Sequence, residues 1–258
     1  MDGTHPHARY GSADVERGVE PGVERRALLR GAAALAAFGA LGASARASSR
    51  TGDPPRAKTK SGGPLAYDEF LALANPLAAE LVGDTSRDGQ DRYLCAIAAL
   101  AVRMVDVPVP EMRIQGDKMA GKTFIGANDG GEAFTVLHWR MEPNTVISDH
   151  PHTYGNVVTL VLDGEIVVRN FEVVGTRDYT TRETFQVRRT CESVLTPGGI
   201  NLVSLERNYT HGFRAGPKGA RGLDITTRIR EKHPNLSLDL VSKPPDDAFG
   251  VYEARWKH

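Results

Sequence analysis

Apolar positions in "AYDEFLALANPLAAELVG" (Ala66 to Gly83) recur near helical spacing at Phe70, Leu73, Leu77 and Leu81. Such a stripe lets one face of a helix pack on a core while the rest meets water. Pro76 lacks an amide hydrogen and is expected to kink or split that helix. "DRYLCAIAALAVRM" predicts a second helix, with Leu94, Ile97, Ala98, Ala101 and Val105 on one face. From Val109 the texture changes. Short β-branched runs such as "AFTVLHWRM", "NVVTLVLDGEIVVRNFEVV", "INLVSLE" and "ARGLDITTRI" alternate with Gly, Asn and Asp. Several short strands separated by turn residues predict an all-β sandwich or barrel. Asp163-Gly164, between two apolar runs, predicts a two-residue hairpin. From Glu231 onward the sequence has neither period.

The first residues have a different character. Arg25 and Arg26 precede a weakly apolar Ala/Gly-rich run, which ends at Ala45-Arg46-Ala47. The run is too short and too closely flanked by arginine for a membrane span, and A-x-A is a cleavage pattern. Paired arginines, the bulky Leu28 and Leu29 after them, and moderate hydrophobicity resemble a twin-arginine export signal. The expected organisation is therefore a signal peptide over 1–47, a Pro/Gly/Ser-rich linker over 48–64, a helical annex over 65–106, a β domain over 107–230 and a tail over 231–258. The resemblance implies a protein exported to the periplasm or beyond, with no stable membrane anchor.

Charge narrows the partners. Lys+Arg and Asp+Glu both total 32, so no basic excess points to nucleic acid. Cys95 and Cys191 lack zinc-type CxxC spacing. They read as two free thiols, or as a pair if the fold brings them together. No G-x-S-x-G, P-loop or G-x-G-x-x-G fingerprint stands after the expected signal.

The candidate chemistry lies in histidines. His150 and His152 in "DHPHTYGNVV" sit two apart, so on a strand both imidazoles face one way. Pro151 between them cannot donate to a ladder and favours a strand edge. An H-x-H pair can clamp a metal, but polar strand faces also produce it. His211 opens a later strand, "HGFRA". His138 in "TVLHWRM" reads as a core residue with a hydrogen bond. His5, His7, His233 and His258 carry no pattern.

H-x-H, a following strand with Gly164 at its turn, and a later His resemble the cupin superfamily. That resemblance implies a mainly β fold: a cupin β-barrel (double-stranded β-helix or jelly roll) with a short N-terminal helical annex. It also implies metal ligation by His150, His152 and His211. Val157 occupies the position where such motifs place a fourth, glutamate ligand. A three-histidine set without Glu, "VLHW" before it and "HGFRA…ARGLDI" after it resemble the thiol dioxygenases, over roughly Lys122 to Thr226. These imply Fe(II), or another divalent metal, with a small thiol and dioxygen as partners. Lys122 falls where the cysteine enzymes carry an arginine for the substrate carboxylate. Their Ser-His-Tyr set is replaced by Gly222, Asp224 and Thr226. Asp224 there resembles the cysteamine and N-terminal-cysteine branch. Tyr154 shares the parity of the histidine pair and is expected to donate a hydrogen bond at the site. Two alternatives stay open: a metal cupin acting on another small molecule, and a non-catalytic cupin that binds a ligand.

Export is directly testable. N-terminal sequencing of secreted protein should begin near Ser48, and lysine at Arg25 and Arg26 should block export; an intact Met1 on exported protein would exclude cleavage.

Overall fold

Two consecutive helices lead into a long antiparallel sheet. The structure, a computed structural model, describes residues 62–114, 122–129, 134–231, 236–242 and 250–257. The expected signal peptide and most of the linker lie outside the described residues, as do His233 and His258. The described elements are β1 (Leu65–Ala66), α1 (Tyr67–Gly83), α2 (Arg87–Ala101), β2 (Met104–Val105), β3 (Arg113–Ile114), β4 (Thr123–Asp129), β5 (Phe134–Met141), β6 (Val146–Pro151), β7 (Gly155–Val173), β8 (Phe185–Leu195), β9 (Ile200–Val203), β10 (Thr210–Arg228), β11 (Ser237–Leu240) and β12 (Val251–Lys257).

The Glu69 carboxylate accepts from the Ala66 amide at 3.1 Å and so satisfies one orphan donor at the start of α1. The helix continues through Pro76. The carbonyl that Pro76 leaves unpaired belongs to Ala72, and both residues are exposed, so water can take its place. The fully buried stripe is Tyr67, Phe70, Ala74, Ala78 and Leu81; it keeps Phe70 and Leu81 from the expected face, while Leu77 packs half-buried against the same core and Leu73 is half-buried. Two alanines there let the helix approach closely. Helix α2 begins at Ser86, whose hydroxyl accepts from the Gly89 amide at 3.1 Å. Its buried face carries Leu94, Ile97 and Ala101 as expected, and also Gln90 and Tyr93.

The strands β3 to β12 form one ten-stranded sheet among the described residues. Its centre is β7 paired antiparallel with β10. Each of these 19-residue strands serves two arms. In the first arm, Val157–Leu160 of β7 pair with β9, and residues 220–227 of β10 pair with β5. In the second, residues 166–173 of β7 pair with β8, and residues 210–214 of β10 pair with β6. Strand β11 lies against β6, so the second arm curls back on itself. The described residues are thus mainly β, a curled antiparallel sheet with a short helical annex.

The hairpin expected at Asp163-Gly164 does not form. The chain runs straight on along β10 and passes from one arm to the other. Gly164 takes φ +70, and β10 bulges opposite it between Ala215 and Ala220, with Gly219 at φ +79. A Cβ on Gly164 would stand 2.2 Å from the Gly219 carbonyl oxygen. The Asp-Gly pair supplies the left-handed conformation of a turn, but the partner strand uses it for a bend.

The continuous apolar run "NVVTLVL" follows from burial on both faces. Val158 and Leu160 join Phe134, Val136, Leu223 and Ile225 beneath Phe70, Leu94 and Ile97 of the helices. Val161 faces the interior with Trp139, Ile166 and Phe213. The residues after Glu231, patternless as sequence, supply β11 and β12; Leu238, Tyr252, Ala254 and Trp256 pack with Phe171 and Val187.

Gly164 and Gly175 both have positive φ, but Gly175 has open space where a Cβ would go. Gly175→Ala should cost about 1–2 kcal/mol of backbone strain. Gly164→Ala should cost about 1–3 kcal/mol more from the clash, read as the difference between their urea unfolding free energies. Equal losses would remove the close approach as the reason for glycine.

Candidate metal centre

Strand register brings three imidazoles together. His150 near the end of β6 is the cross-strand partner of His211 in β10. His152 follows two residues later, just past the strand, and its amide donates to the Tyr209 carbonyl at 2.8 Å. Because β10 is the one strand that β6 pairs with among the described residues, Pro151 sits at an edge where its missing donor costs nothing. Ring centroids lie 5.0 Å apart for His150 and His152, 5.0 Å for His150 and His211, and 4.7 Å for His152 and His211. One nitrogen from each ring falls within 4.8 Å of the others. His152 Nε2 and His211 Nε2 are 2.8 Å apart.

Each ring is held. His150 Nδ1 donates to the Ser148 carbonyl at 2.9 Å, so in the neutral ring Nε2 carries the lone pair. His211 is fully buried; burial holds its pKa well below the ordinary imidazole value, and His152 and His150 add to the effect. Three imidazoles facing one point form, in their neutral state, a donor set for a transition metal. No carboxylate or thiolate completes the group among the described residues. Val157, at the expected glutamate position, is buried and paired with Val203.

Behind the histidines the interior wall is polar. Thr159 of β7 is the register partner of Asn201 on one side and Asp224 on the other. The Thr159 hydroxyl donates to Asp224 Oδ1 at 2.7 Å, and the Trp139 indole donates to the same oxygen at 3.3 Å. Burial pushes the Asp224 carboxyl up to about 6, against the lowering effect of these two donors. Gly222 pairs with Trp139, and a Cβ there would stand 2.2 Å from the indole. The Tyr154 ring lies 6.3 Å from His152. Burial raises its phenol pKa; Arg228 opposes this and Asp224 adds to it.

Of the residues singled out in the sequence, His150, His152, His211 and Tyr154 come together, with Asp224 on the wall beside them. Lys122 does not. It is exposed before β4, its ammonium 4.0 Å from Glu142, at the turn end of β5 that leads into β6 rather than the end of β6 that carries His150. Its side chain is mostly exposed there, with Glu142 as its ion-pair partner. His138 is buried beside Leu223, on the face opposite Trp139. Cys95 and Cys191 are free thiols.

Sequence inspection missed Asn201, Asn170 and Thr159, which occur in ordinary strand alternation without a motif. It also missed the pair on the outer face of β6. There Asp149 Oδ2 meets Arg169 at 2.9 Å, and Gly212 leaves room for Asp149 Oδ1.

No family model matches the chain, and no curated protein matches it. Among solved structures it is similar to the cupin domain of Schizosaccharomyces pombe Cnp3, with 12% identity over 41% of this chain and 61% of that one, at a TM-score of 0.32. KdgF from Halomonas sp. shares 14% identity over 46% of this chain and 89% of that one, TM-score 0.33. Procruciferin, the 11S globulin of Brassica napus, shares 15% over 43% of this chain and 26% of that one, TM-score 0.32. The chain thus spans less than two thirds of the globulin and Cnp3 chains, and likeness at this level carries nothing about activity.

Two outcomes follow from the geometry. His211→Ala should reduce bound metal well below one ion per chain by elemental analysis, whereas His138→Gln should leave it unchanged. In metal-free protein, the raised Asp224 pKa favours folding fully below about pH 4, and that contribution is lost as pH rises through about 6. Asp224→Asn should therefore flatten the stability profile between those values by roughly 2–3 kcal/mol, read by denaturant titration. An unchanged slope would show that Asp224 titrates normally.

Proposed function

We propose that this chain is an exported, metal-dependent enzyme of cupin type that uses Fe(II) to oxidise a small thiol to a sulfinate. The observation that carries the reading is the convergence of three imidazoles with no carboxylate completing the group among the described residues. Neutral ligands leave the charge of a divalent ion uncompensated, which favours an anionic partner such as a thiolate. A bound ferrous ion would supply the redox chemistry by which both atoms of dioxygen reach sulfur, so that RSH and O₂ give RSO₂H.

The chain's own residues account for the rest. His150, His152 and His211 would hold the ion. Tyr154, with its phenol held protonated, is a hydrogen-bond donor beside it. Asp224 has Thr159 and Trp139 as donors to Oδ1, which suits an ammonium group on the substrate at the remaining oxygen. This favours an aminothiol such as cysteamine over a mercapto-acid, in line with the residues that stand in place of a Ser-His-Tyr set.

Iron-loaded protein should consume oxygen only with a thiol present and form sulfinate. Asp224→Asn should raise the KM for cysteamine roughly tenfold to a hundredfold, the loss of one charge-assisted contact of about 1.5–3 kcal/mol, and spare 3-mercaptopropionate. Lys122→Ala should leave both KM values unchanged. Absence of thiol-dependent oxygen uptake with any metal would turn the reading to ligand binding without catalysis.

A further inference from the structure

Three asparagines run from the surface loop before β10 to the innermost histidine. Asn208 sits in the left-handed region at φ 51, which asparagine tolerates better than most residues. Its amide donates to Glu172 Oε1 at 2.8 Å, and its side-chain oxygen accepts from Thr190 at 2.7 Å. These contacts hold the Asn208 main-chain carbonyl toward Asn170, whose Nδ2 donates to it at 3.3 Å. Asn170 Oδ1 accepts from Asn201 Nδ2 at 2.7 Å. Asn201 Oδ1 then lies 3.1 Å from His211 Nδ1. Asn170, Asn201 and His211 are all buried.

The order of donors along this chain is not free. A main-chain carbonyl only accepts, so Asn170 must present its NH₂ group to Asn208. Its oxygen then faces Asn201, which must answer with NH₂ and turn its own oxygen to His211. An acceptor at Nδ1 requires the proton there. Flipping either amide sets oxygen against oxygen or NH₂ against NH₂ in a buried site, where an unmade hydrogen bond is costly.

We infer that Asn208, Asn170 and Asn201 form an amide relay that sets the tautomer of His211, keeping its proton on Nδ1 and its Nε2 lone pair toward His150 and His152. They are positioning residues. The Ser148 carbonyl does the same for His150 in one step. The purpose of the relay rests on the metal reading, but its geometry does not, and the two fail separately.

The test uses the full chain, metal-free, with ¹⁵N-labelled histidine. The wild-type His211 ring should show the Nδ1–H tautomer by NMR. Asn201→Leu should mix the tautomers, and Asn201→Asp, whose buried carboxyl in its neutral form donates to Asn170 Oδ1 and still accepts from His211, should restore Nδ1–H. In a Co(II) titration, Asn201→Leu should weaken binding about tenfold to a hundredfold, with Asn201→Asp within a few-fold of wild type. An Nε2–H tautomer in the wild type overturns the relay whether or not the variants fold. Equal Co(II) affinity for the leucine variant and wild type, or equal loss in both variants, overturns the positioning role. Nδ1–H in a protein that binds no Co(II) leaves the relay standing and removes the metal.

Discussion

Strands β7 and β10 pair along most of their length, from Phe171 opposite Thr210 to Gly155 opposite Arg228, with a bulge between Ala215 and Ala220. Both arms of the sheet hang on this one ladder. Each strand changes neighbours at its midpoint, so a single register error would misplace both arms at once. A slip of one residue would also turn every side chain of a strand to the other face. The bend at Gly164 and the bulge at Gly219 pin that register, because the backbones there approach too closely for any side chain.

The candidate site inherits its geometry from this ladder. His211 lies within β10, and its partner in β6 is His150. Asn170 is its partner in β7, and Thr159 and Asp224 face each other across the same pair of strands. Every functional candidate except His152 and Tyr154 is thus placed by sheet register rather than by a loop, and register is the more rigid of the two. His152 is tied through its amide to Tyr209.

The helical annex belongs to the same arrangement. Gln90 is buried because its side chain is spent on main-chain partners: Nε2 donates to the Thr85 carbonyl at 2.8 Å, and Oε1 accepts from the Leu205 amide at 3.0 Å. Asp91 meets Arg207 at 2.9 Å. Helix α2 is therefore fastened to the loop that delivers Asn208 and His211. A buried amide that satisfies main-chain groups also fixes orientation, which apolar packing alone does not.

The sequence by itself determined the elements. Helical spacing marked the annex, β-branched runs marked a mainly β domain, and period-two alternation put His150 and His152 on one face. Those are local properties of a few residues, and the third histidine was reached only through resemblance to a family. Tertiary structure decided the rest. Asp163-Gly164 has the residues of a hairpin and forms a bend, because β10 continues past it as a partner. Lys122 has the charge for a substrate contact, and the fold sets it exposed beside Glu142. The stretch after Glu231 has no period, yet it adds β11 and β12, since an edge of β8 was there to pair with. Asn201, Asn170 and Thr159 carried no signal, because their importance lies in which groups they meet across strands, and long-range pairing leaves no mark in local sequence.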